Sequence, residues 1–123
     1  MILVDTSVWI DHLRRGVPAL ASVLERGEVL THPFVLGELA CGRLVHRARV
    51  LQLLAELPTA PVATHAEALH FIERRALMGR GIGWVDAHLL AAVTLDGTAR
   101  LWTRDKRLGA VASDIGIAFT DAK

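Results

Sequence analysis

Ile2-Leu3-Val4-Asp5-Thr6-Ser7 is the stretch of sequence that decides the fold. Its three apolar residues, two of them β-branched, predict a short strand buried on both faces, as in a parallel sheet. Asp5 ends this strand, and Thr6 and Ser7 are good N-caps for a helix whose apolar pattern runs to about Arg15. Open α/β sheets bind ligands just beyond the carboxyl ends of their strands, which is where this pattern places Asp5.

Strands and helices alternate along the rest of the chain. Further strands are predicted at Glu28 to Thr31, Pro61 to Ala63, Ala99 to Thr103 and Ile117 to Phe119. Further helices are predicted around Leu20 to Leu24 and at Pro33 to Leu44, His46 to Leu57, His65 to Met78, Trp84 to Leu95 and Lys106 to Ala110. This alternation predicts a parallel sheet with helices on both faces, and no linker or repeat divides residues 1–123, so we expect one domain.

The composition limits the class of protein. No run approaches the ~18 apolar residues of a membrane span, and Asp5 interrupts the only apolar stretch in which a signal peptide would lie. The single cysteine, Cys41, excludes an internal disulfide and fits a reducing compartment. We therefore expect a cytoplasmic protein. The net charge of +1 does not by itself indicate nucleic-acid binding.

Two acids lie on helix faces that are otherwise apolar. Glu38 has only apolar or small residues at helical spacing around it, and so has Asp86. Such a face is expected to be buried or to line a cleft, and a buried carboxylate is costly unless it is paired or binds a metal. Taken singly, a buried ion pair explains Glu38, and the dipole of its own helix explains Asp86 equally well.

A fourth acid, Asp105, repeats the arrangement of Asp5, because it follows a strand and opens a helix. On its own it is an ordinary N-cap. Together, however, the four acids place two carboxylates at strand ends and two on helix faces that pack near those ends. Oxygen ligands without thiolates or paired histidines suit Mg²⁺ or Mn²⁺, and such ions support hydrolysis of a phosphodiester.

These motifs resemble those of the PIN-domain nucleases and, among them, the VapC toxins of bacterial VapBC toxin–antitoxin pairs. The resemblance rests on Val4-Asp5-Thr6-Ser7, Leu36-Gly37-Glu38-Leu39, Trp84-Val85-Asp86-Ala87 and Trp102-Thr103-Arg104-Asp105. It covers the whole chain. It implies a single PIN domain with a PIN-like three-layer α/β/α fold, in which helices flank a central, roughly five-stranded parallel sheet.

The resemblance also implies an activity and partners. It implies an endoribonuclease that depends on Mg²⁺, with Mn²⁺ as an alternative, and that cleaves tRNA or rRNA to arrest growth. It implies a VapB antitoxin and a homodimer. By this resemblance Asp5, Glu38, Asp86 and Asp105 form the catalytic, metal-holding quartet. Asp114 is typical of a turn, and we leave it outside the site.

Several other side chains have weaker functional interpretations. Thr6 follows Asp5 directly, and Thr103 precedes Asp105 by two residues. Each threonine could hydrogen-bond an acid of the site, and a role in a turn is equally possible. Contacts with RNA phosphates are predicted for basic residues near the site or in the glycine-rich loop, with solvated surface as the alternative: Arg80, Arg104, Lys106 and Arg107.

Other functions remain open at this stage. A receiver-like Mg²⁺-binding signalling domain has a similar length, but receivers usually carry an adjacent pair of acids after the first strand, and Thr6 follows Asp5. A phosphatase with an aspartyl nucleophile usually has a second acid two residues later, where Ser7 stands. A PIN fold that only binds is the last alternative, and the intact quartet counts against it.

Overall fold

A computed structural model of the protein describes residues 1–120. Three strands lie in this part of the chain: β1 (Ile2–Val4), β2 (Val29–Leu30) and β3 (Arg100–Trp102). Seven helices accompany them: α1 (Thr6–Arg15), α2 (Pro18–Glu25), α3 (Pro33–Ala40), α4 (Arg47–Ala55), α5 (His65–Arg75), α6 (Trp84–Asp96) and α7 (Lys106–Asp114). The predicted α/β class is confirmed.

The sheet is parallel and has β1 at its centre, in the order β2-β1-β3. Ile2 stands opposite Val29 on one side and Arg100 on the other. All three residues of β1 are buried, as predicted for a strand covered on both faces. Because the strands are parallel, the ends of β1 and β3 meet at one edge of the sheet, and Asp5 and Thr103 follow directly there.

The predicted five strands are not found within residues 1–120, where three strands are accompanied by two isolated parallel bridges. The bridge beside β2 joins Thr31 to Thr59, so the strand predicted at Pro61 to Ala63 is wrong. The Thr31 carbonyl accepts the N–H of Ala60 at 2.8 Å, and Pro61 then has no N–H with which to continue the ladder. At the other edge, the predicted strand Ile117 to Phe119 is a single bridge between Leu101 and Ala118.

Three predicted helix ends differ from the observed ones by three or four residues. The third helix ends at Ala40, not Leu44, in a turn where the N–H of Gly42 donates to Leu39. The fifth ends at Arg75, not Met78, because Ala76 is left-handed (φ 54°) and this turn buries Leu77. The last continues past Ala110 to Asp114, since Val111 and Ala112 pack into the core.

Helix α6 is the buried helix of the fold. Every residue from Ala87 to Val93 is buried, which is typical of a helix surrounded by other elements. Its first turn emerges from the core and carries Asp86. In the described part of the chain, no helix has the length and apolar character to cross a membrane.

Candidate active site

Asp5 occupies the carboxyl end of the central strand. Its backbone N–H donates to the carbonyl of Trp102 at 2.9 Å, which fixes it between β1 and β3. The side chain is buried, with 7% of its residue surface exposed. Its Oδ2 accepts two hydrogen bonds, from Ser7 Oγ at 2.8 Å and Thr103 Oγ1 at 2.7 Å. These donors compensate in part for the desolvation of the carboxylate.

Glu38 reaches the same end of the molecule from helix α3. Its side chain is exposed, so burial is excluded, and it lines a cavity of about 380 Å³ together with Arg14 and Arg43. Of the two environments predicted for Glu38, burial and a cleft, the structure shows the cleft. Thr6 Oγ1 donates to Glu38 Oε1 at 2.8 Å. This hydrogen bond connects the start of α1, directly after Asp5, to the acid on α3.

Asp86 lies in the first turn of α6 and is half-buried. Its Oδ2 accepts the backbone N–H of Gly83 at 3.1 Å. Burial raises the pKa of Asp86, the hydrogen bond from Gly83 opposes this, and the negative charges of Asp5, Asp105 and Glu38 raise the pKa further. All three other acids of the predicted quartet thus act electrostatically on this one carboxyl group.

Asp105 is the N-cap of α7, and it is exposed. Its Oδ1 accepts the N–H of Leu108 at 2.9 Å, so the ordinary capping role is present. Its own N–H donates to Thr103 Oγ1 at 3.0 Å. Thr103 therefore contacts two of the four acids, through the side chain of Asp5 and the backbone of Asp105.

Ser7 is the residue that sequence reasoning missed. We treated it only as an N-cap, yet the cap position of α1 is Asp5. Ser7 Oγ donates to Asp5, accepts the N–H of Arg104 at 3.0 Å and lies 3.3 Å from Thr103 Oγ1. A hydroxyl two residues after an acid at a helix start was the available signal. Its contact with residues 103 and 104 was not visible in the sequence.

The basic residues predicted to contact RNA fall into two kinds. Arg104 Nη1 pairs with Asp11 Oδ2 at 3.1 Å, and Arg80 Nη2 pairs with Asp114 Oδ2 at 2.7 Å. Neither acid was assigned a role from the sequence. Lys106 and Arg107 are exposed in the first turn of α7, and within residues 1–120 neither has a carboxylate partner.

A row of aromatic rings connects the helices that carry Glu38 and Asp86. Phe34 at the start of α3 packs edge-on against His32 (5.2 Å between centroids) and His88 of α6 (4.7 Å). Trp84 packs between His88 (4.6 Å) and His65 (5.1 Å). This row could not be predicted from the sequence, because its members share no regular spacing.

The two buried histidines of this row, His32 and His88, are kept neutral by their surroundings. Burial, and then the nearby His88, lower the pKa of His32 to about 4. Burial, and then His65, lower the pKa of His88. Nδ1 of His32 accepts the N–H of Phe34 at 3.0 Å and caps α3. His88 is therefore a packing residue, and His32 is a second one.

The four acids fit a hard divalent cation in their donor chemistry. They offer carboxylate oxygens only. Burial first, and then the charges of the other three acids, raise the pKa of Asp86. A cation among them would relieve the repulsion between these charges. In residues 1–120, no group of three or more His, Cys, Asp or Glu side chains is arranged so that it could hold a metal ion. The charges of the four acids therefore influence one another, although the acids form no preformed metal site.

Comparison with known proteins agrees with this fold. The family model described as "PIN domain" matches residues 2–114. Two curated relatives, each named "Ribonuclease VapC32" and each from a strain of Mycobacterium tuberculosis, are 53% identical over 121 residues, which is 98% of both chains. The matched region includes every strand and helix described above and all four acids. The chain therefore belongs to the PIN-domain family and, within it, to the VapC proteins.

Proposed function

We propose that the protein is a Mg²⁺-dependent endoribonuclease toxin of the VapC type, with Mn²⁺ as an alternative ion. The observation that carries this proposal is the position of Asp5 and Asp105 just beyond the carboxyl ends of β1 and β3, where Thr103 hydrogen-bonds to both. The chain's membership of the PIN family and the name ribonuclease that its VapC relatives carry support a nuclease over a receiver-like domain or an aspartyl phosphatase.

In this proposal the four acids hold the metal, which when bound would supply the Lewis acid for attack of water on a phosphodiester. Asp5 is the central ligand, because its Oδ2 is fixed by Ser7 and Thr103. Thr6 orients Glu38 in the same way. These hydroxyls hold the carboxylates in position, so the site is preorganised before the substrate binds.

The basic residues around α7 are proposed to meet the RNA. Lys106 and Arg107 carry positive charge beside Asp105, and neither forms a salt bridge with a carboxylate in residues 1–120. Arg80 and Arg104 add positive charge at the same rim, although each already has an acidic neighbour. The RNA is proposed to be tRNA or rRNA, and the protein is proposed to act in the cytoplasm.

The proposed partners are a VapB-type antitoxin and a second copy of the chain. Membership of the VapC group supports the antitoxin. Exposed apolar side chains support a protein interface, among them Val45 (80% exposed), Met78 (55%) and Leu95 (50%). Co-expression of a cognate VapB-type antitoxin should restore growth, and light scattering at high micromolar concentration should show a dimer.

The test is cleavage of total cellular RNA by the purified protein, with Mg²⁺ or with EDTA. Wild type should give discrete products with Mg²⁺ alone, and Asp5→Asn should give none. Glu73→Gln removes an equal charge from the exposed surface of α5 and should cleave as wild type does. Absence of cleavage by folded wild type, both with Mg²⁺ and with Mn²⁺, would overturn the proposal and favour a PIN fold that only binds.

A further inference from the structure

We propose that Gly81 is a positioning residue. Because it has no side chain, Arg107 can pack over the loop backbone, and from this position its guanidinium group binds a phosphate of the RNA. The inference deepens the proposed function and rests on it for the nature of the substrate. It depends on the contact between the α5–α6 loop and the first turn of α7.

The contact is unusually close for a glycine in a loop. A Cβ added to Gly81 would lie 2.7 Å from Cδ of Arg107, 2.9 Å from Nη1 and 3.2 Å from Nε. The end of the Arg107 side chain therefore lies over the backbone of Gly81. Gly81 is also left-handed, with φ at +82°, so both its conformation and its surroundings favour glycine.

The loop is held against α7 at a second point. Arg80 Nη2 pairs with Asp114 Oδ2 at 2.7 Å. Arg107 and Asp114 are seven residues apart on α7, so they lie on one face of the helix, two turns from each other. The loop thus contacts that face at both ends, and the Arg80–Asp114 pair keeps Gly81 beneath Arg107.

This arrangement brings together two segments that adjoin acids of the proposed site. Two residues after Gly81, the N–H of Gly83 donates to Asp86. Two residues before Arg107, Asp105 caps α7. The contact therefore joins the two segments that hold two of the four acids. Within residues 1–120 no carboxylate pairs with Arg107, and a guanidinium fork matches a phosphate well.

The chain contains a matched control for this contact. Gly79 lies in the same loop and is also left-handed, with φ at +75°, but an added Cβ there would meet nothing within 4 Å. Gly79→Ala and Gly81→Ala therefore introduce similar backbone strain. Only the second displaces Arg107.

The experiment measures binding of bulk bacterial tRNA by fluorescence anisotropy over a range of salt concentrations, on an Asp5→Asn background that prevents cleavage. Arg107→Ala and Gly81→Ala should each weaken binding about ten-fold. Each should also lower the slope of log affinity against log salt by about 0.7 to 0.9, which is the effect of one lost phosphate contact. Gly79→Ala should match the parent in both measurements.

The double variant Gly81→Ala/Arg107→Ala should bind no more weakly than Arg107→Ala, because both changes remove one contact. If Gly81→Ala does not fold, Gly81→Asn replaces it with Gly79→Asn as control, since asparagine tolerates the left-handed region. Equal binding by the Gly79 and Gly81 variants, or additive losses in the double variant, would overturn the inference. Failure of wild type to cleave RNA is a separate result, and it overturns the proposed nuclease instead.

Discussion

The hydroxyl groups of Ser7 and Thr103, which are 96 residues apart in the chain, meet at a single oxygen of Asp5. The parallel pairing of β1 with β3 brings them together, since each hydroxyl follows the end of one of these strands. The position of the proposed central metal ligand is therefore determined by two distant parts of the sequence.

Removal of either hydroxyl should impair the site more than the fold. We expect Ser7→Ala to lower cleavage at least ten-fold and to lower the free energy of unfolding by about 1 kcal/mol, because a partly buried carboxylate loses a donor. Kinetics at saturating Mg²⁺ and urea unfolding provide the measurements. Ser113→Ala, on the exposed surface of α7, is the matched control. A Ser7→Ala protein that cleaves as fast as wild type would contradict the positioning role.

Loss of the negative charge at Asp5 should stabilise the metal-free protein. The repulsion between Asp5 and Asp86 disappears in Asp5→Asn, so the free energy of unfolding in EDTA should rise by on the order of 1 kcal/mol. Wild type should also gain thermal stability when Mg²⁺ is added, and the variant should gain much less. Differential scanning calorimetry with both proteins checks this. A variant that Mg²⁺ stabilises as fully as wild type would count against Asp5 as a ligand.

The carboxyl group of Asp86 should titrate above the range of an ordinary aspartate. Burial raises its pKa first, and the charges of Asp5, Asp105 and Glu38 raise it further. Carbon-13 NMR of the side chain in EDTA should show this, and the pKa should fall in Asp5→Asn and in Asp105→Asn. Glu73→Gln should leave it unchanged. An Asp86 that titrates identically in all these proteins would show that the acids are not coupled.

His32 should make the protein sensitive to acid. Its pKa is about 4 in the folded protein and about 6.5 when unfolded, so the unfolded chain binds more protons between these values. Stability is therefore lost as the pH falls from 7 towards 4. His32→Asn keeps an N-cap for α3 without this titration, and it should reduce the difference in unfolding free energy between pH 7 and 4.5 by about 2 kcal/mol. Urea unfolding at both pH values measures it, and an unchanged difference would contradict the assignment.

The Arg80–Asp114 pair should control the loop and contribute little to global stability. Its side chains are 37% and 61% exposed, so Asp114→Asn should change the free energy of unfolding by less than about 1 kcal/mol. Amide hydrogen exchange at residues 79–83 should nevertheless accelerate. Asp11→Asn breaks the comparable Arg104 pair and should leave exchange in that loop unchanged. Equal exchange in both variants would show that the pair does not hold the loop.

The sequence predicted the parts of the fold that depend on local pattern. The buried strand before Asp5, the alternation of strands and helices and the capping position of Asp105 all follow from neighbouring residues. The outer strands could not be predicted in the same way. Whether Pro61 or Thr59 meets Thr31 depends on which residue still has an N–H to offer at the sheet edge.

The candidate site shows the same division. The four acids stood out because each occupies a distinctive local position. Burial did not follow from the same reasoning, since Glu38 is exposed although its helical neighbours are apolar. The roles of Ser7, Asp11 and Gly81 depend on partners between 26 and 97 residues away. No local pattern contains that information.

The central position of β1 has a consequence for synthesis of the protein. During synthesis, residues 2–4 must wait for residues 100–102 before the second edge of their strand is paired. Thr103 and Asp105 appear later still, so a nascent chain or a prematurely terminated one has no complete acidic site. If the protein is the toxin that we propose, a fragment that ends before Asp105 lacks one of the proposed metal ligands, and we expect it to be inactive.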